Sequence, residues 1–237
     1  MRAVSKLMMA AGAVALCAAP AFLASAAPAT NKAPVAKPQS GPIDLAVVID
    51  NSITQHADVQ LKQVGDFLQT MPQGTHVAVI YADYGGVQYA QEFTTDLAQA
   101  AKSIRIPSGF PNTANGLYDS LSTVMKKWPT DGNRRVVLLV SSGIDTDNGL
   151  SNTQPDLNMV FQHAMSEAQK DGVTVYAIYA SGAGPALQNR ELILNGQGCL
   201  SQLADVTGGK AFFEGMETPV SFTPYLATIS RSLGVMH

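Results

Sequence analysis

The chain has 237 residues, a formal charge of −3, 46% hydrophobic residues and two cysteines. That balance excludes a disordered charged tail, a disulfide-rich scaffold and a basic surface for non-specific nucleic-acid binding. The length suits one large domain or two small ones.

Arg2 and Lys6 open the chain, residues 7–23 are apolar, Ala-rich and uncharged, and Ala24-Ser25-Ala26 follows. A basic start, an apolar core and a small-x-small exit predict a secretory signal peptide over 1–26, cut before Ala27. The apolar run is near the lower limit for a spanning helix and Pro20 interrupts it, so no membrane span is expected after cleavage. Cys17 lies inside the run, with Leu16 where a lipoprotein cysteine would follow a small residue. Cys17 is therefore expected to leave with the signal. Cys199 then remains without an intramolecular partner. Export without disulfides points to a bacterial periplasm or exterior. Residues 27–42 carry Pro28, Pro34, Pro38 and Pro42 among alanines, and read as a semi-extended tether.

From Ile43 strand and helix patterns alternate. Asp44-Leu-Ala-Val-Val-Ile-Asp50 is an unbroken apolar run between acids, the pattern of a strand buried on both faces. Residues 57–71 have helical apolar spacing, closed by Pro72 and Gly74. Residues 77–81 read as a strand, and 87–94 as an alternating edge strand paired with it in a hairpin. Helices are expected over 96–104 and 117–128, and a very apolar strand over 135–141. A helix over 156–170, a strand over 173–180, a helix over 199–206, a short strand over 211–213 and a helix over 222–235 complete the chain. Such alternation predicts a single α/β domain over 43–237: a Rossmann-like, doubly wound, mostly parallel sheet with one antiparallel edge strand and helices on both faces. In sheets of this kind ligands bind at the carboxyl ends of the strands. The loops to inspect are therefore 50–54, 108–115, 141–148 and 181–198.

The first of these loops reads Asp50-x-Ser52-x-Thr54. A carboxylate and two hydroxyls alternating in a turn offer oxygen ligands for a hard cation such as Mg²⁺, Mn²⁺ or Ca²⁺. The same hydroxyls are also suited to capping the next helix. An apolar strand ending in D-x-S-x-S/T resembles the von Willebrand factor type A domain and the integrin I domain. Three further segments, in the same order, add to the resemblance: Thr113-Ala-Asn-Gly-Leu-Tyr-Asp-Ser-Leu121, Arg134 to Gly143, and Ser201-Gln-Leu-Ala-Asp-Val-Thr-Gly-Gly209 with Ala211-Phe-Phe213. The likeness extends from Asp44 to the C-terminus and is nearest to a secreted bacterial group related to this domain.

The resemblance implies a metal-ion-dependent adhesion site that binds Mg²⁺ or Mn²⁺, with Asp50, Ser52, Thr54 and Asn115 as ligands. It also implies a protein ligand that donates an acid to the cation. The segment departs from the family in two places. Asn115 stands where a Thr is usual, with Thr113 two residues earlier. Ser142 stands where the family has an acid, so the site is degenerate, with Asp145 and Asp147 nearby in the same loop. Nothing in the sequence makes a catalytic set. The mature chain has His56, His76, His163 and His237, G-x-S-x-G is absent around Ser142, and Ser181-Gly-Ala-Gly184 lacks a phosphate-loop lysine. The expected function is an exported, non-enzymatic protein-binding module. The alternatives are a metal-independent envelope interaction protein and, more remotely, a hydrolase using Ser142 or a metal.

Overall fold

A computed structural model describes residues 41–83, 86–107, 116–146, 149–184 and 188–235. The expected signal peptide, nearly all of the tether, and Thr113, Asn115 and Asp147 lie outside the described residues.

The elements are β1 (Ile43–Asp50), α1 (Asp58–Leu68), β2 (His76–Asp83), β3 (Gly86–Thr94), α2 (Leu97–Lys102) and α3 (Leu117–Lys126), followed by β4 (Arg134–Ser141), α4 (Met159–Lys170), β5 (Thr174–Tyr179), α5 (Arg190–Val206), β6 (Lys210–Phe212) and α6 (Thr223–Leu233). Short 3-10 turns cover Gln55–Ala57 and Leu150–Asn152. The strands form one sheet in the order β3-β2-β1-β4-β5-β6. Every pair is parallel except β2 with β3. This is the expected doubly wound sheet with a single antiparallel edge.

Side chains on a strand alternate between faces, and the core divides accordingly. Leu45, Val47 and Ile49 of β1 pack with Leu61 and Val64 of α1 and Ile229 of α6. Ala46 and Val48 point the other way, toward Leu121 of α3, Phe161 of α4 and Leu203 of α5. Every residue of β1 is buried, because the strand is central and both faces are covered by helices. Asp44 and Asp50 fall on the even positions. They bracket the row Ala46–Val48 on the α3/α4/α5 side, one at each end of the strand.

Three of the six described α-helices start at a side-chain cap: Asp96 before α2, Asn158 before α4 and Asn189 before α5. The helix expected from 156 starts at Met159, because Asn158 Oδ1 accepts from Phe161 N at 3.0 Å. The largest departure is α5. The sequence predicts a helix over 199–206, whereas the structure has Arg190–Val206. Asn189 caps it by accepting from Glu191 N and Leu192 N. Gly196 and Gly198 lower the helical signal of its first half, but Gly196 is required by packing. A Cβ there would strike the Ser142 carbonyl oxygen and stand 2.8 Å from Ile144 Cγ1. On the other side of this contact is Gly143, at φ +71°, where a Cβ would strike the Gly196 carbonyl oxygen. Backbone therefore meets backbone where the loop after β4 touches α5.

Candidate functional site

The loops after β1, β4 and β5 come together at the carboxyl edge of the sheet. Thr54 N donates to Ser181 O at 2.9 Å, Ala183 N to Ser52 O at 2.8 Å, and Ile53 bridges Gly182. This follows from the sheet order. β1 and β4 are neighbours whose following helices go to opposite faces, which opens a crevice at their ends.

Asp50 sits in that crevice, fully buried. Its Oδ1 accepts from Ser52 N at 2.8 Å and from Ser52 Oγ at 2.6 Å. Its Oδ2 accepts from Ser141 Oγ at 2.7 Å. Ser141 Oγ in turn accepts from Gly143 N at 2.9 Å. A buried carboxylate needs compensating donors, and these short contacts from hydroxyls and an amide provide them. The structure thus brings Asp50 and Ser52 together. It adds Ser141, whose signal in the sequence was its place at the end of the strand beside β1.

Thr54 lies at the rim, half-buried, and its Oγ1 accepts from His56 N at 3.3 Å, capping the 3-10 turn that leads into α1. Asn115 lies outside the described residues. Ser142 is fully buried and its hydroxyl accepts from Ile144 N at 3.3 Å. Asp145 is also buried, and its Oδ2 accepts from Tyr118 N at 3.2 Å in the first turn of α3. A carboxylate at that place also complements the positive end of the helix dipole.

Tyr118 ties these parts to one another. Its hydroxyl donates to Gly143 O at 2.7 Å, and its ring packs edge-on against Phe161, with centroids 4.9 Å apart. Burial pushes its hydroxyl well above the ordinary tyrosine range, with Cys199, Asp145 and Asp50 adding to the shift. Burial also pushes the Cys199 thiol up to about 12. Cys199 is therefore a protonated core residue, not a thiolate nucleophile. The rim beside Asp50 is polar. Asn51 Nδ2 donates to Asp83 Oδ2 at 3.0 Å, and Arg105, stacked 4.0 Å over the Tyr81 ring, donates to Gln88 Oε1 at 2.8 Å.

Chemically, the described part of the crevice offers the Asp50 carboxylate with the Ser52 hydroxyl on one of its oxygens and the Ser141 hydroxyl on the other, all hard oxygen donors. That set fits a hard divalent cation whose remaining positions are filled by water and other oxygens. Three histidines are described, and His237 lies outside the described residues. His56 is exposed at the turn before α1, His163 is exposed on α4 and paired with Glu167 at 3.3 Å, and His76 begins β2 at the opposite edge of the sheet.

No family model matches the chain, and a search of curated proteins gives no match. Solved structures do match. An aerotolerance-related membrane protein from Bacteroides fragilis superposes with a TM-score of 0.55 at 15% identity, over 83% of this chain and 100% of that one. The conserved hypothetical protein BatB from Bacteroides thetaiotaomicron gives 0.57 at 16%, over 82% and 98%. The vWF domain of the type V pili tip protein Mfa5 from Porphyromonas gingivalis gives 0.52 at 14%, over 83% and 97%. At these identities the likeness is one of fold.

Proposed function

Proceeding from a von Willebrand factor type A fold, we propose that this chain is an exported, non-enzymatic module that binds a protein partner through the carboxyl edge of its sheet. In this reading residues 1–26 are a signal peptide, 27–42 a tether and 43–237 the binding domain. Asp50, Ser52 and Thr54, with Asn115 from the loop before α3, supply oxygens to Mg²⁺ or Mn²⁺, and Ser141 joins them. The supporting observation is the convergence of Ser52 and Ser141 on the buried Asp50 at the switch point of the sheet. The cation would offer an open coordination position to an acidic side chain of the partner. The chain's own residues hold Asp50 in place, bury it and set the loops around it. Solved neighbours include a vWF domain from a pilus tip protein, which is compatible with a role in protein recognition. No helix among the described residues is long and apolar enough to cross a membrane.

Calorimetric titration of Mg²⁺ and Mn²⁺ into the chain tests this reading. Heat that disappears in Asp50→Ala and Ser52→Ala, with both variants folded by circular dichroism, is the expected result. Absence of heat in the unaltered chain would rule the cation out.

A second reading keeps the partner and removes the cation. It is favoured by the contacts of Asp50, whose two oxygens already accept three hydrogen bonds from Ser52 and Ser141, and by Ser142 at the position of the family acid. It predicts that a partner captured from the cell envelope stays bound in EDTA.

A further inference from the structure

The opposite edge of the sheet holds a second group of metal-binding side chains. Asp44 at the start of β1 and His76 at the start of β2 are in-register neighbours on adjacent parallel strands. Asp131, in the loop between α3 and β4, closes over them. His76 Nδ1 lies 3.0 Å from Asp44 Oδ1 and 3.1 Å from Asp131 Oδ2. One ligand atom from each residue lies within 4.8 Å of the others. Ligands bound at about 2.0–2.2 Å to one ion are no further apart than this.

A second observation is independent of that clustering. Asp44 is fully buried, and its Oδ2 has no hydrogen-bond partner among the described residues. Native proteins rarely leave a buried carboxyl oxygen unmatched, because the desolvation cost goes uncompensated. A divalent cation would meet this need. It supplies a partner for the unmatched oxygen, and its two positive charges balance two carboxylates. The remaining hydrogen bonds already aim the ligands. Asn133 Nδ2 donates to Asp44 Oδ1 at 2.9 Å, and Asn133 N donates to Asp131 Oδ1 at 3.1 Å, leaving Asp131 Oδ2 turned to His76. Outer contacts of this type fix ligand orientation in metal sites. His76 and Asp131 are each about one-third exposed, at 34% and 32%. The site is therefore open to solvent on one side, with room for an ion to enter and for water to complete its coordination.

We propose that Asp44, His76 and Asp131 form a second divalent-cation site, at the amino edge of the sheet, whose mixed nitrogen and oxygen donors take Zn²⁺. An imidazole with two carboxylates suits a borderline cation, whereas Mg²⁺ and Ca²⁺ favour oxygen alone. The strand separates this site from Asp50 by about 20 Å at the usual rise per residue, so the two can be tested apart. The ion would clamp β1, β2 and the loop before β4, a structural role and not a partner-binding one.

The experiment is titration of Zn²⁺ into the full chain after EDTA stripping and dialysis, read by calorimetry, with Co²⁺ absorption as a second readout. The expected result is one equivalent bound by the unaltered chain and by Asp50→Asn. Binding is lost in His76→Gln and in Asp131→Asn, and is about ten- to a hundredfold weaker in Asn133→Ala. His76 and Asp131 are chosen for substitution because both are partly exposed, so their variants fold without repacking the core. The proposal is overturned by absence of Zn²⁺ heat in the unaltered chain, by heat that survives both His76→Gln and Asp131→Asn, or by heat lost in Asp50→Asn.

Discussion

β1 carries an acid at each end, and the surroundings of the two differ in kind. Asp50, at the carboxyl end, accepts from two serine hydroxyls and an amide, all within its own crevice. Asp44, at the amino end, has one oxygen against His76 and Asn133, a second acid beside it, and one buried oxygen with no hydrogen-bond partner among the described residues. Both side chains are fully buried and lie on the same face of the same strand. The contrast shows that burial alone does not define a site. What matters is whether the fold supplies enough donors. Where it does, a cation would share the carboxylate with donors already in place. Where it does not, the buried oxygen has a need for a partner that the neighbouring side chains leave unmet.

Four substitutions probe that contrast, all in metal-free buffer. Asp50→Ala has the largest expected effect, a loss of about 3–4 kcal/mol read from urea denaturation, since it leaves buried donors of Ser52 and Ser141 unmatched. A loss under about 1 kcal/mol would mean that the crevice does not depend on the acid. Gly196→Ala follows, at about 3 kcal/mol, because its methyl meets the Ser142 carbonyl and forces α5 away from the loop beside Asp50. Wild-type stability in this variant would show that the backbone contact is loose. Tyr118→Phe removes a buried hydrogen bond to Gly143 O and is expected to cost about 1–2 kcal/mol. An unchanged denaturation midpoint would detach Tyr118 from the support of this end.

The smallest effect belongs to Asp44→Asn, and its sign depends on pH. A carboxyl whose folded value is raised stabilises the protein fully below the ordinary value near 3.8, and that contribution is lost as the pH rises through the raised value. The Asn variant is therefore expected to lose ground against wild type near pH 3 and to match or exceed it at pH 7. Parallel denaturation at the two pH values checks this. A cost at pH 7 equal to that of Asp50→Ala would erase the difference between the two ends.

The fold was legible in the sequence because its strands are apolar enough to be recognised individually. The runs 44–50 and 135–141 leave no reading but central strands, and their order with the helices determines the sheet. The first half of α5 was not legible. Gly196 and Gly198 argue against a helix locally, and only the approach of Gly143 from elsewhere in the chain explains Gly196. Asp50 and Ser52 could be found from their spacing. Ser141 could be placed beside them only once β1 and β4 were known to be neighbours. The amino-edge cluster is not legible for the same reason. His76 reads as an ordinary strand start until register sets it beside Asp44, and Asp131 is distant in sequence from both. The clue available was Asp44 itself, a charge opening an otherwise apolar buried strand.

The parity of β1 has a consequence for how this chain tolerates length change. Asp44 and Asp50 share a face because an even number of steps separates them. Deleting one residue from the interior, at Val47 for example, leaves an odd number. Whichever end keeps its register, the other acid then swings into the apolar layer beneath α1 and α6. The strand is in effect a ruler of fixed length joining two polar edges, and a single lost residue costs at least one of them.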